Sequence, residues 1–170
     1  MLPIVTFPNG NVINESLDII KEISEGNCLF YGVSEEGMRD VNKALDDISK
    51  YLHPLAMPAW LKTPEFNSVS RSYFLSKKEK KRGPFINLIS DDERLKNELT
   101  NFLNQLWIPE KFFGDEEINI LDIMLASHLY GIYCLIDFYI PKKIHDYLQR
   151  VKIATNFNYH EDYNKLFTAE

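Results

Sequence analysis

Apolar and polar positions first alternate and then recur at helical spacing within the opening 25 residues. Residues 2–6 (LPIVT) read as a short apolar strand and residues 11–13 as a second, with Phe7-Pro8-Asn9-Gly10 between them. Asn-Gly tolerates positive φ at both central positions of a tight turn, so the stretch predicts a hairpin. Leu17, Ile20 and Ile23 follow at helical spacing, Ile19 widens the same face, and Glu15-Ser16 stands where the helix starts. A lone hairpin is marginally stable in water, and the pattern contains no further strand downstream. Either the hairpin lies on a helical body or its sheet is missing.

From Ser34 the pattern is helical almost to the end. Glu35 and Glu36 suit the positive end of a helix dipole, and Met38, Val41, Leu45, Ile48 and Leu52 mark one apolar face up to Pro54. Pro54, Pro58 and Pro64 predict a kinked or irregular stretch over residues 55–64. A helix over residues 68–82 ends in the basic run Lys77-Lys78-Glu79-Lys80-Lys81-Arg82, followed by Gly83 as a left-handed cap and Pro84 as a stop. Cations at a helix's carbonyl end explain that run better than an anionic partner does. Residues 91–106 form the next helix, burying Leu95, Leu99, Phe102, Leu103 and Leu106. In the stretch from Ile118 to Ile123, Asn119 is placed as an N-cap and Asp122 as the acid that reaches back to it, with Ile118 and Ile123 spaced for a hydrophobic staple. This helix is apolar on nearly all sides through Tyr130, which puts it at the centre of a bundle. Residues 141–150 and 159–167 read as further helices.

A chain of 170 residues, 45% apolar and 26% charged, fits one globular domain or one domain plus a small appendage. A net charge of -6 argues against a nucleic-acid partner. The longest nearly uncharged run, residues 118–140, contains Asp122, His128 and Asp137 and reads as a core helix, so no membrane partner is expected. The first residues lack the pattern of a secretory signal, and the expected localisation is cytoplasmic. In such a reducing compartment Cys28 and Cys134 are expected as free thiols, Cys134 filling the core and Cys28 more exposed, with a redox role for Cys28 a minor alternative. The histidines His53, His128, His145 and His160 are scattered, so no metal site is expected. Asp18 and Glu22 share a helix face, but without a pocket their spacing assigns no acid or base. No catalytic residue is identified.

Several stretches together resemble the glutaredoxin 2 family, whose members join a thioredoxin-like domain to an all-helical domain like that of glutathione transferases. LPIVTFPNGNVINESLDIIKEI is similar to the family's stretch from the strand led by its cis-proline to the third helix. SRSYFLSKKE, NLISDDERLKNELTNFLNQLW and INILDIMLASHL are similar to successive helices of the second domain, with Asn119 where Ser or Thr is commoner. The resemblance implies a mostly α fold: a glutathione-transferase-like helical bundle over residues 34–170, preceded by a ββα remnant of a thioredoxin-like domain over residues 1–26. It gives Pro3 the place of the cis-proline and Leu2 that of the residue whose backbone pairs with the cysteinyl part of glutathione. Glu15 and Ser16 take the place that holds the γ-glutamyl end, where a helix start offers N–H groups to a carboxylate.

The family's chemistry needs a low-pKa cysteine at the start of its first helix. That strand-helix-strand unit would precede Leu2, and Cys28 and Cys134 lie after the proline, so the chain is expected to be an N-terminally truncated member without its Cys-x-x-Cys. Glutathione is then a cosubstrate of the family but a weak ligand here, at best millimolar, about 4 kcal/mol. The alternative is a non-catalytic interaction module that engages a protein partner through the N-terminal hairpin.

Overall fold

Pro8 and Gly10 set the first turn of the chain. In the computed structural model, which describes residues 3–64, 66–159 and 162, Val5–Thr6 (β1) and Val12–Ile13 (β2) pair antiparallel, Val5 opposite Ile13 and Thr6 opposite Val12. The Phe7 N–H donates to the Asn11 carbonyl at 2.8 Å and the Gly10 N–H to the Phe7 carbonyl at 2.9 Å. The loop therefore has three residues, Pro8, Asn9 and Gly10, and of these only Gly10 has positive φ, +83°. This differs from the two-residue turn expected of Asn-Gly. Pro8 fixes a negative φ at the first loop position, and Gly10 then supplies the left-handed residue that closes a three-residue hairpin.

Helices make up nearly all the remainder: α1 (Ser16–Ile23), α2 (Glu35–Tyr51), α3 (His53–Trp60), α4 (Ser68–Arg82), α5 (Phe85–Ser90), α6 (Asp92–Gln105), α7 (Ile120–Leu129) and α8 (Lys142–Thr155). Shorter 3-10 segments, Glu25–Phe30 and Tyr130–Cys134, follow α1 and α7. The mostly α architecture implied by the sequence is the one observed. Among the described residues no helix is long and apolar enough to cross a membrane.

The irregular stretch expected of the prolines after α2 is confined to residues 61–64, which are turns and bends, while residues 55–60 are helical. Leu52 keeps helical dihedrals and its carbonyl accepts the Ala56 N–H at 2.9 Å, so the chain turns into α3 almost without a break. Pro54 occupies the first turn, where an amide has no intrahelical acceptor to lose, and Pro58 costs one bond late in a short helix. Burial of Leu55, Ala56 and Met57 against the core offsets that loss. Helix α5 was not foreseen either. The Glu79 carboxylate accepts the Phe85 N–H at 2.7 Å across the Gly83-Pro84 corner, which caps α5 from the preceding helix, and Phe85 anchors it in the core. Helix α8 runs beyond residue 150 to Thr155 and stops at Asn156, which is left-handed with φ +50°. Most of the helix expected over residues 159–167 lies outside the described residues.

The core is organised around α7, whose Ile120, Leu121, Asp122, Leu125, Ala126 and Leu129 are all buried. Leu125, Ala126 and Leu129 join Ile48 of α2, Leu52 between α2 and α3, Leu99 and Leu103 of α6, and Ile144 and Leu148 of α8 in one large cluster. At about 1.5–3 kcal/mol for each fully buried aliphatic side chain, this cluster carries most of the stability. A smaller cluster of Val41, Ile120 and Leu121 receives Leu17 and Ile20 from α1, and through it the N-terminal unit rests on the bundle.

Candidate functional site

The hairpin delivers the chain to α1 with the start of that helix open. Glu15 is the N-cap residue, extended at φ −95° and ψ 120°, and its side chain makes no capping hydrogen bond. The Ile19 N–H takes the Glu15 carbonyl at 2.9 Å, and no hydrogen bond among the described residues occupies the amides of Ser16, Leu17 or Asp18. Glu15 and Ser16 are exposed, as is Pro3 ahead of β1, while Leu2 lies outside the described residues. Helices α2 and α4 are closed by side chains, Ser34 Oγ accepting the Gly37 N–H at 3.0 Å at the start of α2 and Asn67 and Ser70 capping each other's amides at 2.9 and 3.1 Å at the start of α4, whereas α3, α6 and α8 lack a side-chain cap as α1 does. A helix start with free amides concentrates positive potential and suits a carboxylate.

Asp122 is the most constrained polar group. Its carboxylate is fully buried and accepts from the Asn119 N–H at 3.1 Å, the Phe113 N–H at 3.1 Å and the Tyr147 hydroxyl at 3.0 Å. Asn119 Oδ1 in turn accepts the Leu121 N–H at 2.9 Å. Burial holds Asp122 above the usual carboxylate range, opposed by the two amides, by Tyr147 and by the charge of Arg150. Its bonds tie the loop before α7 and the middle of α8 to one point, a structural role, and it does not line the cavities beside Trp107, Tyr130 or Ile89. Ile118 packs on the larger cluster and Ile123 on the smaller, so the pair spaced for a staple is shared between the two cores.

A cavity of about 730 Å³ opens between α2 and α6, with Glu36, Asp40 and Asp47 on one side and Phe102, Trp107 and Phe113 on the other. The Trp107 ring meets Phe113 edge-on at 5.6 Å. Its size suits a small ligand. Pro3, Glu15 and Ser16 do not border it. The sequence reading passed over it, although residues 36, 40 and 47 fall on one side of a helix.

His53 of α3 and His128 of α7 also come together, their rings stacked at 5.8 Å and 19°. Burial, with the charges of His128, Arg82 and Lys78, holds His53 down at about 4. Sequence spacing gave no sign of this pair because it forms between helices 75 positions apart. The His145 ring meets the Tyr133 hydroxyl at 3.0 Å, and His160 lies outside the described residues. Among the described residues no three His, Cys, Asp or Glu side chains are grouped so as to hold a metal ion. Cys28 is exposed, Cys134 is buried in the core, and neither forms a disulfide.

The fold is similar to that of glutaredoxin 2 from Salmonella typhimurium, whose crystal structure was determined in complex with glutathione: the TM-score is 0.78 at 24% identity, covering 95% of this chain and 76% of that one. At this identity the likeness concerns the fold. No curated protein matches the chain. A family model described as "Glutaredoxin 2, C terminal domain" matches residues 40–163, which take in α3 through α8 and most of α2. With the capped α7 at the centre of its bundle, the chain belongs to the glutaredoxin 2 family, in the part that the description calls its C terminal domain.

Proposed function

We propose that the chain is the glutathione-holding and helical portion of a glutaredoxin 2-type thiol-disulfide oxidoreductase, and that these residues catalyse no exchange by themselves. In this reading residues 1–26 are a ββα remnant of a thioredoxin-like domain and residues 34–170 the all-helical domain. The observation that carries it is the open start of α1, where Glu15 stands at the cap position without capping. The γ-glutamyl carboxylate of glutathione takes the free amides of Ser16 and Leu17 and the Ser16 hydroxyl, and its ammonium group is held by the Glu15 carboxylate. Leu2 offers its backbone to the cysteinyl part, with Pro3 in the place of the cis-proline. The glutathione in the similar Salmonella protein supports this ligand class.

Exchange requires a thiolate stabilised at a helix start and a second thiol to resolve the mixed disulfide. Cys28 lies beyond the end of α1 and Cys134 is buried, so neither meets that requirement. Calorimetric titration with glutathione tests the grip, and glutathione-driven reduction of a small disulfide tests the chemistry. The expected results are millimolar affinity, about 4 kcal/mol, lost in Ser16→Ala and Glu15→Gln, and no turnover. Affinity indifferent to both substitutions overturns the grip, and turnover abolished by Cys28→Ser overturns the claim of inactivity.

A second reading, a non-catalytic interaction module, is favoured by one observation. Among the described residues β1 pairs on one side only, and Ile4 and Val12 beside it are exposed. Strand addition by a protein partner would use that edge. Sedimentation at rising concentration would then reveal association that Ile4→Lys abolishes.

A further inference from the structure

The cavity between α2 and α6 takes no part in the proposed grip on glutathione, yet its two walls differ sharply in chemistry. Helix α2 lines it with Glu36, Asp40, Ala44 and Asp47 at helical spacing, and the three carboxylates face one cation in the same wall, Lys43. None of the ion pairs found among the described residues engages these charges. Lys50, one turn beyond Asp47, bonds the Tyr51 hydroxyl at 3.1 Å instead. The positive end of the helix dipole explains Glu36, but Asp40 and Asp47 lie past the first turn, where the dipole gives a carboxylate no support.

The opposite wall is aromatic and already held in place. Phe102 stacks on Tyr51 at 5.3 Å, Trp107 meets Phe113 edge-on, and the Phe113 N–H is anchored on the Asp122 carboxylate. Trp107 lines the cavity and is nevertheless 68% exposed. Carboxylates facing fixed aromatic rings across a space of about 730 Å³ match one ligand chemistry, a positive charge joined to an apolar body. We propose that the α2–α6 cavity binds a protonated arylalkyl amine, its ring against Trp107 and Phe113 and its ammonium group on the carboxylates of α2. The cation is attracted both by those carboxylates and by the negative faces of the rings. Because neighbouring side chains already hold the rings, binding costs little ordering of the aromatic wall. Glutathione, which carries net negative charge at neutral pH, is repelled by the wall that draws the amine.

The test is a residue-resolved NMR titration of the whole chain with tryptamine, run beside tryptophol, its uncharged alcohol analogue, and spermidine, a cation without a ring. The expected result is saturable shifts at the Trp107 indole N–H and the Asp40 and Ala44 amides with tryptamine, with affinity about tenfold weaker for tryptophol and for the variant carrying both Asp40→Asn and Asp47→Asn. Trp60, the other tryptophan, does not line this cavity, and its indole N–H stays in place as the internal control. Neither aspartate side chain enters a hydrogen bond or ion pair among the described residues, so the variant melts as the parent chain does. Tryptophol binding as tightly as tryptamine overturns the proposal in favour of an apolar groove. Spermidine shifting the same resonances as strongly overturns it in favour of an acidic surface, and the absence of shifts at Trp107 overturns it outright.

Discussion

The N-terminal unit and the helical body are stabilised in different ways. Over residues 3–24 the hairpin and α1 bury a single side chain, Ile19, and lean through Leu17 and Ile20 on three residues of the bundle, Val41, Ile120 and Leu121. The body closes its own core around α7 and fixes its buried carboxylate with three different donors. The residues proposed to grip glutathione therefore sit on the less stable element, held in place by a rigid one. Elements with few buried contacts open first, and ligand-binding segments are commonly drawn from them.

Substitutions in the two regions should differ accordingly. The largest effect belongs to Asp122→Ala, which leaves the Asn119 and Phe113 amides without an acceptor and the Tyr147 hydroxyl with only the residue 122 carbonyl at 3.4 Å, and should cost about 3 kcal/mol or more in urea unfolding. A loss below about 1 kcal/mol would mean that the bundle does not depend on this point. Next is Gly131→Val. A Cβ at Gly131 would stand 3.0 Å from the Trp60 ring and 3.5 Å from Ala56 Cβ, so the added branches must push α3 away, at about 2 kcal/mol.

The paired histidines predict a pH effect of intermediate size. His53 is held near 4 when folded and titrates near 6.5 when unfolded, so between these values the unfolded chain binds more protons. Stability rises with pH across that window and is lost as pH falls through it. Because the ring is partly exposed, the contribution is about 1–2 kcal/mol. His53→Gln should flatten the stability profile between pH 6.5 and 4 by that amount, and an unchanged slope would remove His53 from the account. The smallest effects separate two helix starts. Ser34→Ala removes a cap and should cost about 1 kcal/mol, whereas Glu15→Ala and Ser16→Ala should stay within about 0.5 kcal/mol.

Much of the body was legible in the sequence. The apolar stripes of α2 and α6 and the all-round apolarity of α7 reflect periodicity, which burial enforces directly, and α4 spans residues 68–82 up to the Gly83-Pro84 stop. Local rules misread the chain where tertiary context overrode them. Burial of Leu55, Ala56 and Met57 carries a helix through two prolines, and Glu79 creates the start of α5 from six residues away. The α2–α6 cavity and the His53–His128 pair arise between elements and leave no local spacing to detect. For the proposed grip, the sequence supplied the residue types at the start of α1. Glu15 could equally have been read there as an ordinary cap, and the structure adds that its side chain makes no capping bond.

The most direct test of the grip is a residue-resolved NMR titration of the chain with glutathione. Shifts centred on the Ser16 and Leu17 amides, saturating in the millimolar range and absent in Ser16→Ala, are the predicted result. Shifts confined to the cavity beside Trp107, or none at the start of α1, would contradict it.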